Sequence, residues 1–198
     1  IRQSLDAIEE ALIENGQLGN RHHISHLQVI HPDDISRFGE LDAIANFQPL
    51  WAGYDDYITE LNIPAIGEKR TSWMYPIRSV HEAGGLIAFG SDWSVSTANP
   101  MDQIETAITR ISINDPSMRP FIPEERIDLA TAIDAFTINA AFVNKHEDKT
   151  GSIEVGKLAD LIVLDRNLFE LDPADISETK VLLTLFEGRP VHGDFESL

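Results

Sequence analysis

The sequence predicts an α/β fold built on parallel strands, followed by a β-rich C-terminal segment. Amphipathic helical patterns alternate with short apolar strand patterns up to about residue 143, and this alternation is typical of parallel strands joined by crossover helices. Residues 151–168 and 181–193 then have strand patterns separated by glycine turns. The length of 198 residues is enough for one sizeable domain or for one and a half small ones.

The first half predicts helix, strand, helix and strand. Apolar residues at helical spacing indicate the first helix, which Asn15-Gly16 ends. Alternation of residue types indicates the first strand. Pro32 and the two acids after it favour the start of the second helix, and Pro49 ends the second strand. These four elements cover residues 1–14, 21–30, 31–41 and 42–50.

The second half predicts a loop, a third strand between two helices, and a long helix. Residues 51–71 are polar and aromatic and predict the loop. Gly84-Gly85 ends the helix before the strand, and Asn99 with Pro100 begins the helix after it. Glu187-Gly188 lies where a hairpin turn is expected. The strand covers residues 86–92, and the helices cover 72–83, 99–111 and 123–143.

Charge and composition exclude several classes of function. The net charge is -18, from 33 acidic and 15 basic residues, which argues against a nucleic-acid or anionic-membrane partner because such binding needs clustered Lys and Arg. The chain has no cysteine, so any metal site must use His and carboxylate ligands. No apolar run approaches the length that spans a bilayer.

The sequence begins inside an amphipathic pattern, at Ile1, without an initiator Met, a cap or a signal peptide. We therefore expect a C-terminal piece of a longer protein. The expected location is the cytoplasm, and secretion stays open because no targeting signal can be read.

Two side chains near the carboxyl ends of predicted strands are candidates for metal chemistry. His26 lies toward the end of the first strand, and Asp92 directly follows the third, within "FGSDWS". Ligands and catalysis collect at this end of parallel α/β folds. An imidazole and a carboxylate can both bind a divalent metal, and a carboxylate beside metal-bound water can accept its proton. Taken alone, His26 also fits a partly buried strand residue, and Asp92 a cap.

Other polar residues on the strands have two interpretations each. Asn46 and Gln48 share a face of the second strand, where they can hydrogen-bond a substrate or satisfy one another inside a core. His22 shares a face with His26 but lies deeper in its strand. Aromatic residues in or near the loops can form pocket walls or pack: Trp51, Tyr54, Trp73 and Trp93.

Taken together, several segments resemble the metal-dependent amidohydrolases, in the branch similar to N-substituted formamide deformylase. The segments "RHHISHLQ", "IANFQPLW" and "IAFGSDWSV" resemble the sixth, seventh and eighth barrel strands of that family. "AIDAFTINAAFV", "TGSIEVGKLADLIVLDRNLFELDP" and "VLLTLFEGRPVHG" resemble the segment that closes the barrel and the strands after it. The resemblance rests on the order and spacing of these segments, which cover nearly the whole chain.

This resemblance implies the fold, the reaction and the roles of residues. The implied fold is the C-terminal part of a (β/α)8 TIM-type barrel, about its last three strands, over residues 1–145, with a segment of a small β-sandwich domain over 146–198. The implied reaction is metal-dependent hydrolysis of a small amide, formamide or cyclic amide at a C–N bond other than a peptide bond. Zn2+ is the expected ion, and its other protein ligands belong upstream of Ile1. The implied site residues are Asp92 as general base or acid, His26 and Asp92 as metal ligands, and Gln48, Trp93 and, more weakly, His22 as substrate-binding residues.

Of two other classes of function, one stays open and the other is disfavoured. The chain can be a non-catalytic fragment or an assembly module, because His26 and Asp92 are too few donors for an ion that takes four. A doubly wound sheet that binds a phosphorylated ligand is disfavoured, since no Gly-rich loop follows a strand and the negative charge repels such ligands. Cutting a barrel leaves unpaired strand edges beside apolar faces, so we expect self-association.

Overall fold

The computed structural model describes residues 1–197, which form a mixed α/β structure with two sheets. The first sheet is parallel and has the order β1-β2-β3, with β1 at His23–Ser25, β2 at Ile44–Phe47 and β3 at Ile87–Phe89. Ser25 is paired with Asn46, and Phe47 with Phe89. The three carboxyl ends therefore lie along one edge of the sheet, as the alternating pattern predicts.

The second sheet is antiparallel and has the order β4-β5-β6. Its strands are β4 (Leu161–Leu164), β5 (Val181–Phe186) and β6 (Arg189–His192). Glu187 and Gly188 join β5 to β6 with φ angles of 49° and 77°. A two-residue turn in which both residues have positive φ matches the twist of a hairpin, which confirms the turn predicted at this dipeptide.

Helices pack around the parallel sheet, and the core lies between them. The helices are α1 (Arg2–Asn15), α2 (Arg37–Glu40), α3 (Ile63–Thr71), α4 (Ile77–Glu82), α5 (Pro100–Thr109), α6 (Leu129–Phe136) and α7 (Ile138–Val143). Fully buried residues from β2 and from helices on either side of it in the sequence share one apolar cluster, among them Phe38, Phe47 and Ile77. Within residues 1–197, no helix is long and apolar enough to cross a membrane.

The prediction of a loop over residues 51–71 is wrong in its second part. A π-helix at Tyr57–Asn62 leads directly into α3. The side chain of Asp55 accepts a hydrogen bond from the backbone N–H of Ile58 (2.8 Å), which satisfies a donor that the start of a helix leaves free. Ile58 is buried. The hydrogen bond to Asp55 and the burial of Ile58 thus stabilise a helix that the polar composition did not indicate.

Two predicted helices are shorter than expected. The helix predicted at residues 72–83 begins only at Ile77, because Pro76 precedes it and a residue before proline, here Tyr75, avoids helical geometry. The helix predicted at residues 123–143 is divided at Thr137, whose backbone lies at φ −113° and ψ −92°. There the hydroxyl of Thr137 donates to the carbonyl of Ile133 (2.7 Å), and the backbone of Gly151 approaches closely.

The first strand is also shorter than predicted. It ends at Ser25, since His26 has a φ of 59°, outside the range of a strand. The helix predicted at residues 99–111 is confirmed as α5, with the side chain of Asn99 accepting from the N–H of Met101 (3.1 Å) and Pro100 in the first turn.

Candidate metal centre

His26 and Asp92 meet at the carboxyl edge of the parallel sheet. His26 follows β1 directly, and Asp92 lies three residues beyond Phe89, the last residue of β3. The Nε2 atom of His26 is 3.9 Å from Oδ2 of Asp92. Their φ angles are 59° and 53°, a conformation that is uncommon for residues other than glycine and that tends to cluster at functional sites. The structure therefore brings together the two candidate ligands.

His26 is held by a short chain of hydrogen bonds from β2. Its backbone N–H donates to Oε1 of Gln48 (3.0 Å), and Nε2 of Gln48 donates to Oδ1 of Asn46 (3.1 Å). Gln48 is buried. Of the two interpretations that the sequence leaves open for this pair, the structure shows the one in which Asn46 and Gln48 bond each other. Gln48 also fixes the backbone of His26, a role that the sequence did not predict.

Asp92 lies in a turn whose backbone is pinned by local hydrogen bonds. The carbonyl of Asp92 accepts from the N–H of Val95 (2.7 Å). The hydroxyl of Ser91 accepts from the N–H of Trp93 (3.1 Å), and the hydroxyl of Ser96 donates to the carbonyl of Ser91. Serine residues on both sides of Asp92 thus stabilise the bend that presents its carboxylate to His26.

An open cavity of about 540 Å3 is lined by Trp51, which contacts His26. The indole of Trp51 is stacked on the imidazole of His26, with ring centroids 5.6 Å apart and planes at 12°, and Trp51 also lines the cavity. Gln28 and Val95, which lie just after the two candidate ligands in the sequence, line it as well. The cavity is thus connected to His26 through the indole of Trp51, which forms part of its wall.

Two predicted site residues, Trp93 and His22, make no described contact with the side chains of this pair. Trp93 follows Asp92 but is 73% exposed. His22 precedes β1 and lines a separate cavity of about 480 Å3, together with Phe38 and Leu86, at the amino ends of the strands. The structure does not bring His22 to His26. Contact of Gln48, Trp93 or His22 with a substrate stays a prediction.

Two other aromatic residues suggested as pocket walls pack against rings elsewhere. Tyr54 meets Phe121 edge to face at 4.9 Å, and Trp73 meets His31 at 4.8 Å. Of the four aromatic residues that the sequence suggested, Trp51 is the one that lines the cavity beside His26.

The pair fits two ligands of one divalent ion. Two atoms bound at about 2.1 Å to a tetrahedral ion lie roughly 3.4 Å apart, and the observed 3.9 Å differs from that by an amount that a small side-chain rotation closes. Both side chains are partly exposed, at 53% and 36%, so an ion can reach them. Within residues 1–197, no group of three or more His, Asp or Glu side chains is placed to hold an ion, so the pair offers two donors to an ion that takes four.

Comparison with known proteins gives one family. The sequence model of the Amidohydrolase family matches residues 1–192. "Protein LONG AFTER FAR-RED 3" of Arabidopsis thaliana is 34% identical over 191 residues, which are 95% of this chain and 31% of that protein. N-substituted formamide deformylase of Arthrobacter pascens is 32% identical over 115 residues, which are 58% of this chain and 21% of that protein.

A solved structure shares the fold of the chain. The crystal structure of an uncharacterized metal-dependent hydrolase from Pyrococcus furiosus has a TM-score of 0.61 and 28% sequence identity, over 86% of this chain and 31% of that one. The chain spans about a third or less of the length of these proteins.

Proposed function

The chain belongs to the amidohydrolase family, and from that premise we propose that it forms part of a metal-dependent hydrolase that cleaves a C–N bond other than a peptide bond in a small amide, formamide or cyclic amide. The observation that carries the proposal is the 3.9 Å approach of His26 to Asp92 at the carboxyl edge of the sheet. The names of the formamide deformylase and of the metal-dependent hydrolase support it.

In this proposal His26 and Asp92 hold a divalent ion, with Zn2+ as the expected one. The ion supplies Lewis acidity toward water and toward a carbonyl oxygen. Asp92 has two carboxylate oxygens, so it can offer one to the ion and use the other as a proton acceptor. Its carboxylate takes the proton of the attacking water and delivers it to the leaving nitrogen. Gln48 keeps the backbone of His26 in place, and Trp51 stacks on the imidazole ring.

The proposed architecture of the whole protein follows the same reasoning. β1, β2 and β3 correspond to the last three strands of a (β/α)8 barrel within residues 1–145. The antiparallel sheet of β4, β5 and β6 belongs to a small β-sandwich domain within residues 146–198. The parallel pairing, the crossover helices between the strands and the likeness to the Pyrococcus furiosus hydrolase support this assignment.

A second candidate is that the 198-residue chain has no activity on its own. The two-donor set within residues 1–197 favours it, because a catalytic zinc normally has three protein ligands and one open position. This candidate concerns the isolated chain and is compatible with activity of the complete protein.

The test is a panel of N-formyl and N-acyl amines with the complete protein and Zn2+. Asp92→Asn removes the proton acceptor and is expected to lower kcat/KM by about 100-fold or more. Asp56→Asn is the matched control, because it removes the same charge from an exposed side chain outside the site. Near-normal turnover by the Asp92 variant would overturn the proposal.

A further inference from the structure

One cavity is lined by residues from the two turns that carry His26 and Asp92. Gln28 donates its backbone N–H to the carbonyl of His26 (2.5 Å), and Val95 donates its own to the carbonyl of Asp92 (2.7 Å). Both residues line the cavity, and so does Trp51. The cavity is therefore lined by residues of the two turns that carry His26 and Asp92 and by the indole that stacks on His26.

The lining combines aromatic rings with a single negative charge. Trp51, Tyr57 and Tyr75 contribute rings, and Ile58 and Leu61 add apolar surface. Asp55 is the one charged side chain among the described lining residues. Aromatic faces attract cations through their quadrupole, and rings grouped around a cavity are a recurrent way to bind ammonium groups.

Asp55 is free to act on a ligand. Its Oδ1 accepts the capping bond from Ile58, and the residue is exposed. Asp55 and Tyr75 line the same cavity. Burial raises the pKa of the Tyr75 phenol, and the negative charge of Asp55 raises it further. Arg110 donates from Nη1 to the backbone carbonyl of Tyr75 (3.0 Å) and is fully buried, so it presents no charge at the cavity surface.

We propose that this cavity binds a positively charged, ammonium-bearing substituent of the substrate, held by Asp55 and by the rings of Trp51, Tyr57 and Tyr75. The proposal deepens the proposed hydrolase function. It rests on that function, because the bound group is part of a substrate only if the protein is a hydrolase. Asp55 and the net charge of -18 disfavour anionic substituents. Neutral substituents gain only apolar contact with the same walls.

The test measures binding without turnover, on the complete metal-loaded protein at fixed ionic strength. Three probes share a phenyl ring and differ in charge: benzyltrimethylammonium, benzyl alcohol and benzenesulfonate. Equilibrium dialysis is expected to give the cation an affinity about five- to tenfold above that of benzyl alcohol, with benzenesulfonate the weakest. Benzenesulfonate binding as tightly as the cation would overturn the proposal.

Variants of single residues show which side chains of the cavity cause the preference for the cation. Asp55→Asn keeps the acceptor for the N–H of Ile58 and removes the charge, so cation affinity is expected to fall about three- to fivefold while benzyl alcohol affinity stays constant. Asp56→Asn makes the same change one residue away, where the side chain makes no capping bond and lies outside the lining, and is expected to change cation affinity less than about twofold. Tyr57→Leu is expected to weaken the cation about two- to threefold through the lost ring.

The control separates a local site from bulk charge. An equal effect of the Asp55 and Asp56 variants would overturn the proposal, because it would show a general electrostatic effect of the surface. Constant affinity for benzyl alcohol shows that the Asp55 and Asp56 variants have kept their fold. Since no probe is hydrolysed, loss of cation selectivity and failure of the Asp92 assay are separate results, and either can occur without the other.

Discussion

Replacing Gln48 with leucine tests whether the hydrogen bonds from β2 position His26. Leucine has nearly the same size, so the change removes hydrogen bonding with little change in volume. Two groups lose their partner: the N–H of His26 and Oδ1 of Asn46, which Gln48 bonds at 3.0 and 3.1 Å. Each net hydrogen bond contributes about 1 kcal/mol, and an unpaired buried group costs about 1–3 kcal/mol. We therefore expect Gln48→Leu to lower the free energy of unfolding by about 2 kcal/mol.

Gln103 offers a matched control for this change. It is also buried, with no exposed surface, but neither its Oε1 nor its Nε2 has a hydrogen-bond partner. Gln103→Leu removes an unsatisfied amide and loses no bond, so it is expected to be neutral or to raise the free energy of unfolding by about 1–3 kcal/mol. The two substitutions are chemically identical, and only the partners of the amide differ.

Two assays decide the outcome. Urea unfolding gives the free energies, and competition with a chelator gives the zinc affinity of the complete protein. Because a loosened His26 backbone misplaces a ligand, Gln48→Leu is expected to lower zinc affinity by about tenfold, and Gln103→Leu should leave it unchanged. If both variants unfold at the same urea concentration with unchanged zinc affinity, Gln48 does not position His26.

Three further predictions concern pH, metal content and association. Burial acts to raise the pKa of Asp34, but hydrogen bonds from Arg2 and Arg37 outweigh it and leave this pKa below its usual value. The resulting stability is present above the unfolded pKa of about 3.9 and is lost as the pH falls through the folded value, so the difference in urea unfolding between the wild type and Asp34→Asn should be full at pH 7 and shrink as the pH falls below about 3.9. A difference that stays constant or grows on acidification would contradict this. The 198-residue chain alone should hold no stoichiometric tight zinc and show negligible turnover; metal analysis after dialysis and a hydrolase assay check both, and bound zinc with turnover would show that two protein donors suffice. The outer edges of β1 and β3 have no neighbouring strand within residues 1–197, so the chain should self-associate; sedimentation at several concentrations tests this, and a 22.1 kDa monomer throughout would refute it.

The sequence predicted those features that a few neighbouring residues determine. Helix ends at Asn15-Gly16 and at Asn99, and the hairpin turn at Glu187-Gly188, follow from side chains that bond or free the local backbone. The order of elements follows from apolar periodicity. That same order places His26 and Asp92 near the carboxyl ends of parallel strands, so the candidate pair could be named before any contact was known.

Tertiary structure decided what distant segments do to one another. Residues 57–71 form helical segments interrupted at Gly67 (φ 75°, ψ 160°) although they are polar. The burial of Ile58 and the cap from Asp55 stabilise the first of these segments. Only the folded chain shows that Gln48 bonds the backbone of His26, and that His22 faces a different cavity. Periodicity records which face of a segment is apolar, but the partner of a polar group depends on packing between segments far apart in the chain. Those contacts set the 3.9 Å separation at the candidate centre.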